Sequence, residues 1–337
     1  MFSDGRDLPS PLFDPEVNRA IQEVLPEILL DVLNVITRLG DGATLVVLAV
    51  LLYWFGAEED RHKRAMVLAI AVTTLALVAG LKGILEVQRP LFAATPPLEA
   101  APGTYEGWST PSAHSMGAAA VYGALAVVMD VGERWQRYTV AGALIILIPF
   151  SRVALGVHYI GDVISGAILG LLLVYVALRL TKRSITPMFA LSLVIAVAAY
   201  LLGSTEFTTM AIGASLGGLA VWWYVEDRPA NPTAGSIILL GVLVIPVLVA
   251  IRLVDVLIAI EGVIEFAGGA SITFSTIFST VAYAIAFGGA IAVPFVAARL
   301  NDHPHSQRLQ ELLPARGRTI EPEAIGEEPI AAEQSEF

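Results

Sequence analysis

Ser151-Arg152-Val153-Ala154-Leu155-Gly156-Val157-His158-Tyr159-Ile160-Gly161-Asp162 gathers a hydroxyl, a guanidinium, an imidazole and a carboxylate in a chain short of polar groups. The stretch lies between two apolar runs, 138–150 and 160–180, each long enough for most or all of a bilayer crossing. Such side chains are poor lipid-facing residues, and ionisable groups at membrane depth are candidates for function. His158 and Asp162 are four positions apart, so on a helix they share a face and the carboxylate can hold one imidazole nitrogen. The other nitrogen is then free to act as a base or nucleophile. Arg152 adds a permanent charge with a planar fork of donors suited to phosphate. The alternative is a buried polar pair that only ties two helices together.

Outward from this stretch the chain is apolar almost throughout. Its 337 residues are 56% hydrophobic and 15% charged, a balance that predicts an all-α, polytopic transmembrane helix bundle. Spans are expected at 43–55, 66–85, 116–129, 138–150, 160–180, 187–203, 210–224, 237–251 and 273–298. Residues 1–14 read as an extended leader, and residues 1–20 lack the basic start and apolar core of a cleavable signal. From 15 to 39 apolar positions recur at helical spacing but are interrupted by Glu16, Arg19, Glu23, Glu27, Asp31 and Arg38. That pattern predicts one amphipathic helix in the interface or packed outside the bundle. Asp255, Glu261 and Glu265 break the run 254–269, which reads as a short interfacial or re-entrant helix; Glu261 and Glu265 form a second polar pair on one face, a helix contact or a transport site. Residues 301–337 hold eight acids, three Arg and four Pro without periodicity, the pattern of a disordered tail.

The chain therefore divides into a leader and amphipathic helix (1–39), a core bearing the polar motifs (40–185), additional transmembrane helices (186–300) and an acidic tail (301–337). The absence of cysteine removes disulfides and thiolate chemistry. The net charge of −11, with only three Lys among 20 basic residues, argues against nucleic-acid binding and resembles the acidic exteriors suited to high salt.

Two further polar clusters lie in the core. Lys82 interrupts the 66–85 run, and Arg89 follows seven residues on, the same face of a continued helix, before Pro90 stops it. Thr110-Pro111-Ser112-Ala113-His114-Ser115 opens the 116–129 run; Pro and Ser there are helix-start signals, and a helix N-terminus binds anions. Ser112 reads equally as a cap, Lys82 as a snorkelling charge, and Tyr105 and Trp108 as interface anchors. The basic segments 61–64, 134–137 and 179–183, with Arg228, alternate with loops poor in Lys and Arg, which places them in the cytoplasm. Residues 86–115 and 151–160 then share the outer face. There Lys82, Arg89, Arg152, Ser112, helix N–H groups and two histidines converge, which is what a phosphate ester requires. Of the five histidines, His62 falls on the opposite side and His303 and His305 in the tail, leaving His114 and His158.

Lys82-x6-Arg89-Pro90, Pro111-Ser112-Ala113-His114 and Ser151-Arg152-x5-His158-x3-Asp162 resemble the three signature motifs of the type 2 phosphatidic acid phosphatase (PAP2) superfamily, which includes the vanadium haloperoxidases. The ordered set with its spacing is far more specific than any one motif, and it covers about residues 40–185. The resemblance implies a PAP2-like core and a membrane phosphatase acting on a lipid phosphate or diphosphate: phosphatidate, phosphatidylglycerol phosphate or a polyprenyl diphosphate. It implies that His158 is the nucleophile forming a phosphohistidine, that Asp162 orients it, and that His114 protonates the leaving group and then activates water. Lys82, Arg89, Ser112, Ala113 and Arg152 would cradle the phosphate, with no metal or other cofactor. The family usually has Gly where this chain has Ala113, which would add a methyl and disfavour positive φ. The rival readings are a phosphotransferase that passes the group to another alcohol and a non-catalytic transporter or scaffold. The expected setting is a cell membrane, with membrane lipids as neighbours, the site outside and the tail in the cytoplasm.

Overall fold

The computed structural model describes residues 11–98, 107–203, 205, 207–242, 264–265, 271–272 and 274–313. In chain order its helices are α1 (Pro15–Val24), α2 (Glu27–Thr37), α3 (Gly42–Phe55), α4 (Arg61–Leu85), α5 (Pro90–Ala93) and α6 (Ala113–Val128). There follow α7 (Arg134–Ala154), α8 (Ile160–Leu180), α9 (Thr186–Leu202), α10 (Thr208–Val225), α11 (234–242), α12 (Phe274–Ala298) and α13 (Pro304–Leu312). The bundle is assembled around α4, whose side chains from Ala65 to Thr74 are all buried. A helix apolar on every side finds no aqueous surface to face and is satisfied only in a core or in lipid. Helices α3, α6, α9 and α10 pack against it, and α12 closes the bundle by lying along α10.

Among the described residues four helical segments are long and apolar enough to cross a membrane: Glu58–Ala93, Arg134–Ala154, Ile160–Leu180 and Thr276–Ala298. Helices α6 and α9 are apolar but shorter. This is a multi-pass membrane bundle, with additional helices after the part that holds the motifs. The two ends of α4 differ. At its start Lys63 Nζ meets Asp130 at 2.7 Å, Arg61 donates to the carbonyls of Arg228 and Ala230 at 2.9 and 2.8 Å, and His62 lies 2.7 Å from the Thr181 carbonyl. The basic loops thus share one end. Lys82 stands at the other, about 30 Å away by helix rise.

The helices that carry the motifs touch backbone to backbone. A Cβ on Gly170 of α8 would stand 2.5 Å from the Met116 carbonyl oxygen and 2.8 Å from Ala119 Cβ, and one on Gly166 would stand 2.8 Å from the Ser112 carbonyl oxygen. Small residues permit this approach where apolar solvent supplies little force to press helices together. It also fixes the register: the Ser112 amide donates to the Asp162 carbonyl at 3.1 Å.

Several expectations change. Residues 15–39 form two helices, because Pro26 drives Leu25 to extended backbone (ψ 129°) and ends α1. The segment packs on the bundle, the second of the two expected placements: α2 lies on α7, and Asn18 of α1 is buried. The chain then bends by 50° between residues 27–40 and α3. The segment 301–337 is not irregular throughout, since His303 caps α13 with Pro304 as its first residue. Within 254–269 the described pair Ile264–Glu265 is a two-residue strand antiparallel to Ser271–Ile272 rather than helix. Glu261, Tyr105 and the second half of the expected 237–251 span lie outside the described residues.

Replacing Gly170 by Val should cost about 1–3 kcal/mol of stability by forcing α6 and α8 apart. A lowered unfolding midpoint in detergent would register this.

Candidate active site

The site is built on the start of α8. Asp162 sits in the first turn, where the helix dipole favours a carboxylate, and it is completely buried. A buried carboxylate must find donors. Here the Tyr159 amide donates to Oδ2 at 2.8 Å, the Ser109 hydroxyl donates to the same oxygen, and the Thr110 hydroxyl donates to Oδ1. His158 Nδ1 lies 3.2 Å from Oδ2.

His158 and Asp162 do not meet through a shared helix face, as their spacing suggests. His158 lies in the turn before α8, two residues ahead of its first residue. That turn depends on Gly156, whose φ of 72° is a conformation costly to residues with a Cβ. It brings the amides of Val157 and His158 back onto the Arg152 carbonyl at 3.2 and 3.3 Å. Asn18 of α1 clamps the turn from outside, donating to the carbonyls of Val153 and His158 at 2.8 and 2.9 Å.

On the other side of the ring, Nε2 lies 3.1 Å from Arg89 Nη1. A guanidinium can only donate, so Nε2 is the acceptor and the proton sits on Nδ1 against Asp162. Burial, reinforced by the charges of Arg89, Lys82 and Arg152, holds the His158 pKa well below the usual imidazole range. The ring is therefore neutral, with its Nε2 lone pair turned toward the cations. His114 is also close enough to act on it electrostatically.

Arg89 arrives by a route other than helix periodicity. Helix α4 stops at Leu85, Glu86 takes a left-handed conformation (φ 47°), and Arg89 caps the short α5. Its guanidinium is held by the carbonyls of Val157 and Gly107 at 2.9 and 3.1 Å. Lys82 Nζ donates to the Trp108 carbonyl at 2.8 Å, and Arg152 Nη1 to Thr37 Oγ1 at 3.0 Å. Ser112 is the N-cap of α6, its hydroxyl accepting from the Ser115 amide at 3.4 Å. Ala113 is the first residue of α6, and Glu86 is the one non-glycine with positive φ among the described residues. The backbone penalty expected of Ala113 is therefore not incurred. His114 follows it, with Nε2 2.8 Å from Asp41 Oδ1. Lys82, Arg89, Ser112, Ala113, His114, Arg152, His158 and Asp162 thus come together at one end of the bundle.

Five residues in this network were not legible from the motifs: Ser109 and Thr110 on Asp162, Asn18 behind His158, Thr37 on Arg152 and Asp41 on His114. Ser109-Thr110 adjoins a motif and is hydroxyl-rich, which is a signal. Asp41, an acid at the edge of an apolar run, is another. Asn18 and Thr37 carry none. No group of three or more His, Cys, Asp or Glu side chains among the described residues is arranged to hold a metal ion.

The PAP2 superfamily profile matches residues 62–186. Phosphatidylglycerophosphatase B of Bacillus subtilis (strain 168) is 32% identical over 173 residues, taking in 48% of this chain and 80% of that protein. The chain belongs to the PAP2 superfamily. As a member it is a phosphatase, a hydrolase of phosphoric monoesters. The crystal structure of a transmembrane PAP2-type phosphatidylglycerolphosphate phosphatase from Bacillus subtilis is 29% identical, with 50% of this chain and 85% of that chain covered and a TM-score of 0.43. In this PAP2 protein the profile match starts beyond α3 and ends at the start of α9, so Asn18, Thr37 and Asp41 lie outside it.

Asn18→Ala removes the donor shared by two buried carbonyls, and a loss of about 1–3 kcal/mol is expected. Chemical denaturation in detergent should report it, together with reduced turnover as the His158 turn loosens.

Proposed function

We propose that this PAP2 phosphatase hydrolyses a lipid phosphate through a phosphohistidine on His158, with the site at the outer face of the membrane. One observation carries the mechanism: Nδ1 of His158 is tied to Asp162 while Nε2 presents its lone pair beside the Arg89 guanidinium, where a phosphate anion would be drawn. A phosphoryl group carries about two negative charges, and its transfer is chiefly positioning and charge stabilisation. Lys82, Arg89, Arg152 and the N-terminus of α6 supply both. In the first half-reaction Nε2 bonds to phosphorus, the P–O ester bond breaks, and the departing oxygen takes a proton from His114. In the second, water loses a proton to His114 as its oxygen bonds to phosphorus, the P–N bond breaks, and inorganic phosphate leaves. Asp162 keeps its charge throughout and stabilises the cationic ring.

The substrate class is supported by the relative's name, which points to phosphatidylglycerol phosphate, and by the setting of the site at the end of an apolar bundle. Phosphatidate and polyprenyl diphosphates share the chemistry the site recognises. The outer-face assignment rests on the gathering of Arg61, Lys63, Arg64 and Arg228 at the opposite end, the distribution the positive-inside rule gives to the cytoplasm.

Purified protein should release inorganic phosphate from phosphatidylglycerol phosphate, and His158→Ala should retain less than about one thousandth of that rate while still unfolding in one cooperative transition. Phosphate release that gives way to transfer when an alcohol is added would replace hydrolase with phosphotransferase. Because the chain has no cysteine, Gln88→Cys and Glu59→Cys each introduce a single thiol. In intact cells a membrane-impermeant maleimide should label the first and spare the second; the reverse pattern would invert the orientation.

A further inference from the structure

His114 has a carboxylate of its own. Its Nε2 lies 2.8 Å from Asp41 Oδ1. Asp41 comes from the bend that joins residues 38–40 to α3, far from the three motifs and outside the family match. The bend is clamped against the site. Tyr122 of α6 donates its hydroxyl to the Leu39 carbonyl at 2.8 Å, and the Arg152 guanidinium holds Thr37 at 3.0 Å. A Cβ on Gly40 would stand 2.5 Å from Ile148 Cγ2 and 3.3 Å from the His114 ring, so a side chain there would push the bend away. The Asp41 carbonyl also accepts from the Leu45 amide at 3.0 Å, which seats Asp41 at the start of α3.

Several charged groups among the described residues act on His114. Lys82 comes from α4, Arg152 from α7, His158 from the turn before α8, and Asp41 from the bend, with Arg38 lying 3.8 Å behind the carboxylate. An ionised carboxylate only accepts, so Nε2 of His114 carries a proton, which leaves Nδ1 as the ring nitrogen available for proton transfer.

We propose that Asp41 is the positioning residue of the proton-transfer histidine: it fixes the tautomer and orientation of His114 and steadies its imidazolium, so that Nδ1–H is delivered to the departing oxygen. As the P–O bond breaks, the Nδ1–H bond breaks and an O–H bond forms on the released alcohol. The Nε2 proton stays with His114, and Asp41 takes none. When water attacks, its proton returns to Nδ1 and the imidazolium is restored. The inference rests on the phosphatase reading above and extends it: the site uses two His–Asp pairs, one for the nucleophile and one for the acid, drawn from different parts of the chain.

A group that acts by protonating the leaving oxygen matters in proportion to how poorly that oxygen leaves. The test compares kcat/KM, which reports steps up to the departure of the leaving group, on dioctanoyl phosphatidate and on p-nitrophenyl phosphate. Asp41→Asn should lose about tenfold or more on phosphatidate, whose alkoxide needs a proton, and less than about twofold on the nitrophenyl ester, whose phenolate leaves without one. In a His114→Ala background the same substitution should cost nothing further on phosphatidate. Equal losses on both probes, no loss on phosphatidate, or an additive loss in the His114→Ala background would each overturn the proposal. A readout independent of any Asp41 variant is the nitrogen NMR spectrum of histidine-labelled wild-type protein, with His114→Ala to assign the signal. Protonation of Nε2 with Nδ1 as acceptor in the neutral ring supports the pairing, and the opposite tautomer overturns it. Wild-type protein that releases phosphate from neither probe nor from phosphatidylglycerol phosphate overturns the phosphatase reading and this one with it. Active wild type with an unimpaired Asp41→Asn variant overturns this inference alone.

Discussion

A carboxylate with no access to water dictates the shape of this site. Asp162 is tolerable only because hydroxyls from Ser109 and Thr110, the Tyr159 amide and the His158 ring all point at it. The two hydroxyls come from the loop before α6 and the other two donors from the turn that opens α8. Meeting the needs of one buried charge therefore draws the loop before α6 onto the start of α8, and holds His158 in a turn where its second nitrogen faces Arg89. Oδ2 accepts from three of these donors and Oδ1 from the Thr110 hydroxyl, so removing Thr110 strands a buried oxygen while removing one of the others weakens a shared set.

Bringing these segments together needs helices that approach more closely than large side chains allow. Gly166 and Gly170 permit this between α6 and α8, and the amide of Ser112 then bonds directly to the carbonyl of Asp162. Gly40 does the same for the bend before α3, which lies against His114. Lipid offers no hydrophobic incentive for helices to associate, so such backbone proximity, with its dispersion contacts and hydrogen bonds, does much of the fastening. The N-terminal segment is consequently part of the site rather than a cover over it. Asn18, Thr37 and Asp41 each hold one of the motif-bearing residues.

Apolar runs long enough for most or all of a bilayer crossing, and polar residues that lipid will not accept, can be read directly from the chain, because both follow from composition and spacing. From them follow the helical membrane bundle and the nomination of Lys82, Arg89, Ser112, Ala113, His114, Arg152, His158 and Asp162 as one candidate site, whose members the structure places at one end of the bundle. The local reasons are partly different. Helical periodicity pairs His158 with Asp162 and Lys82 with Arg89, whereas a left-handed turn at Gly156 and another at Glu86 interrupt the helices at those points. Turn conformations of that kind are settled by hydrogen bonds to distant carbonyls, which periodicity does not record. Only the tertiary structure decided which carboxylate accompanies His114, since Asp41 and His114 are brought together by packing between elements that share no sequence pattern. Likewise, nothing local marks Asn18 or Thr37. Their partners are created by the fold, and an interaction between segments far apart in the chain leaves a trace in one sequence only when the residue is chemically out of place where it stands.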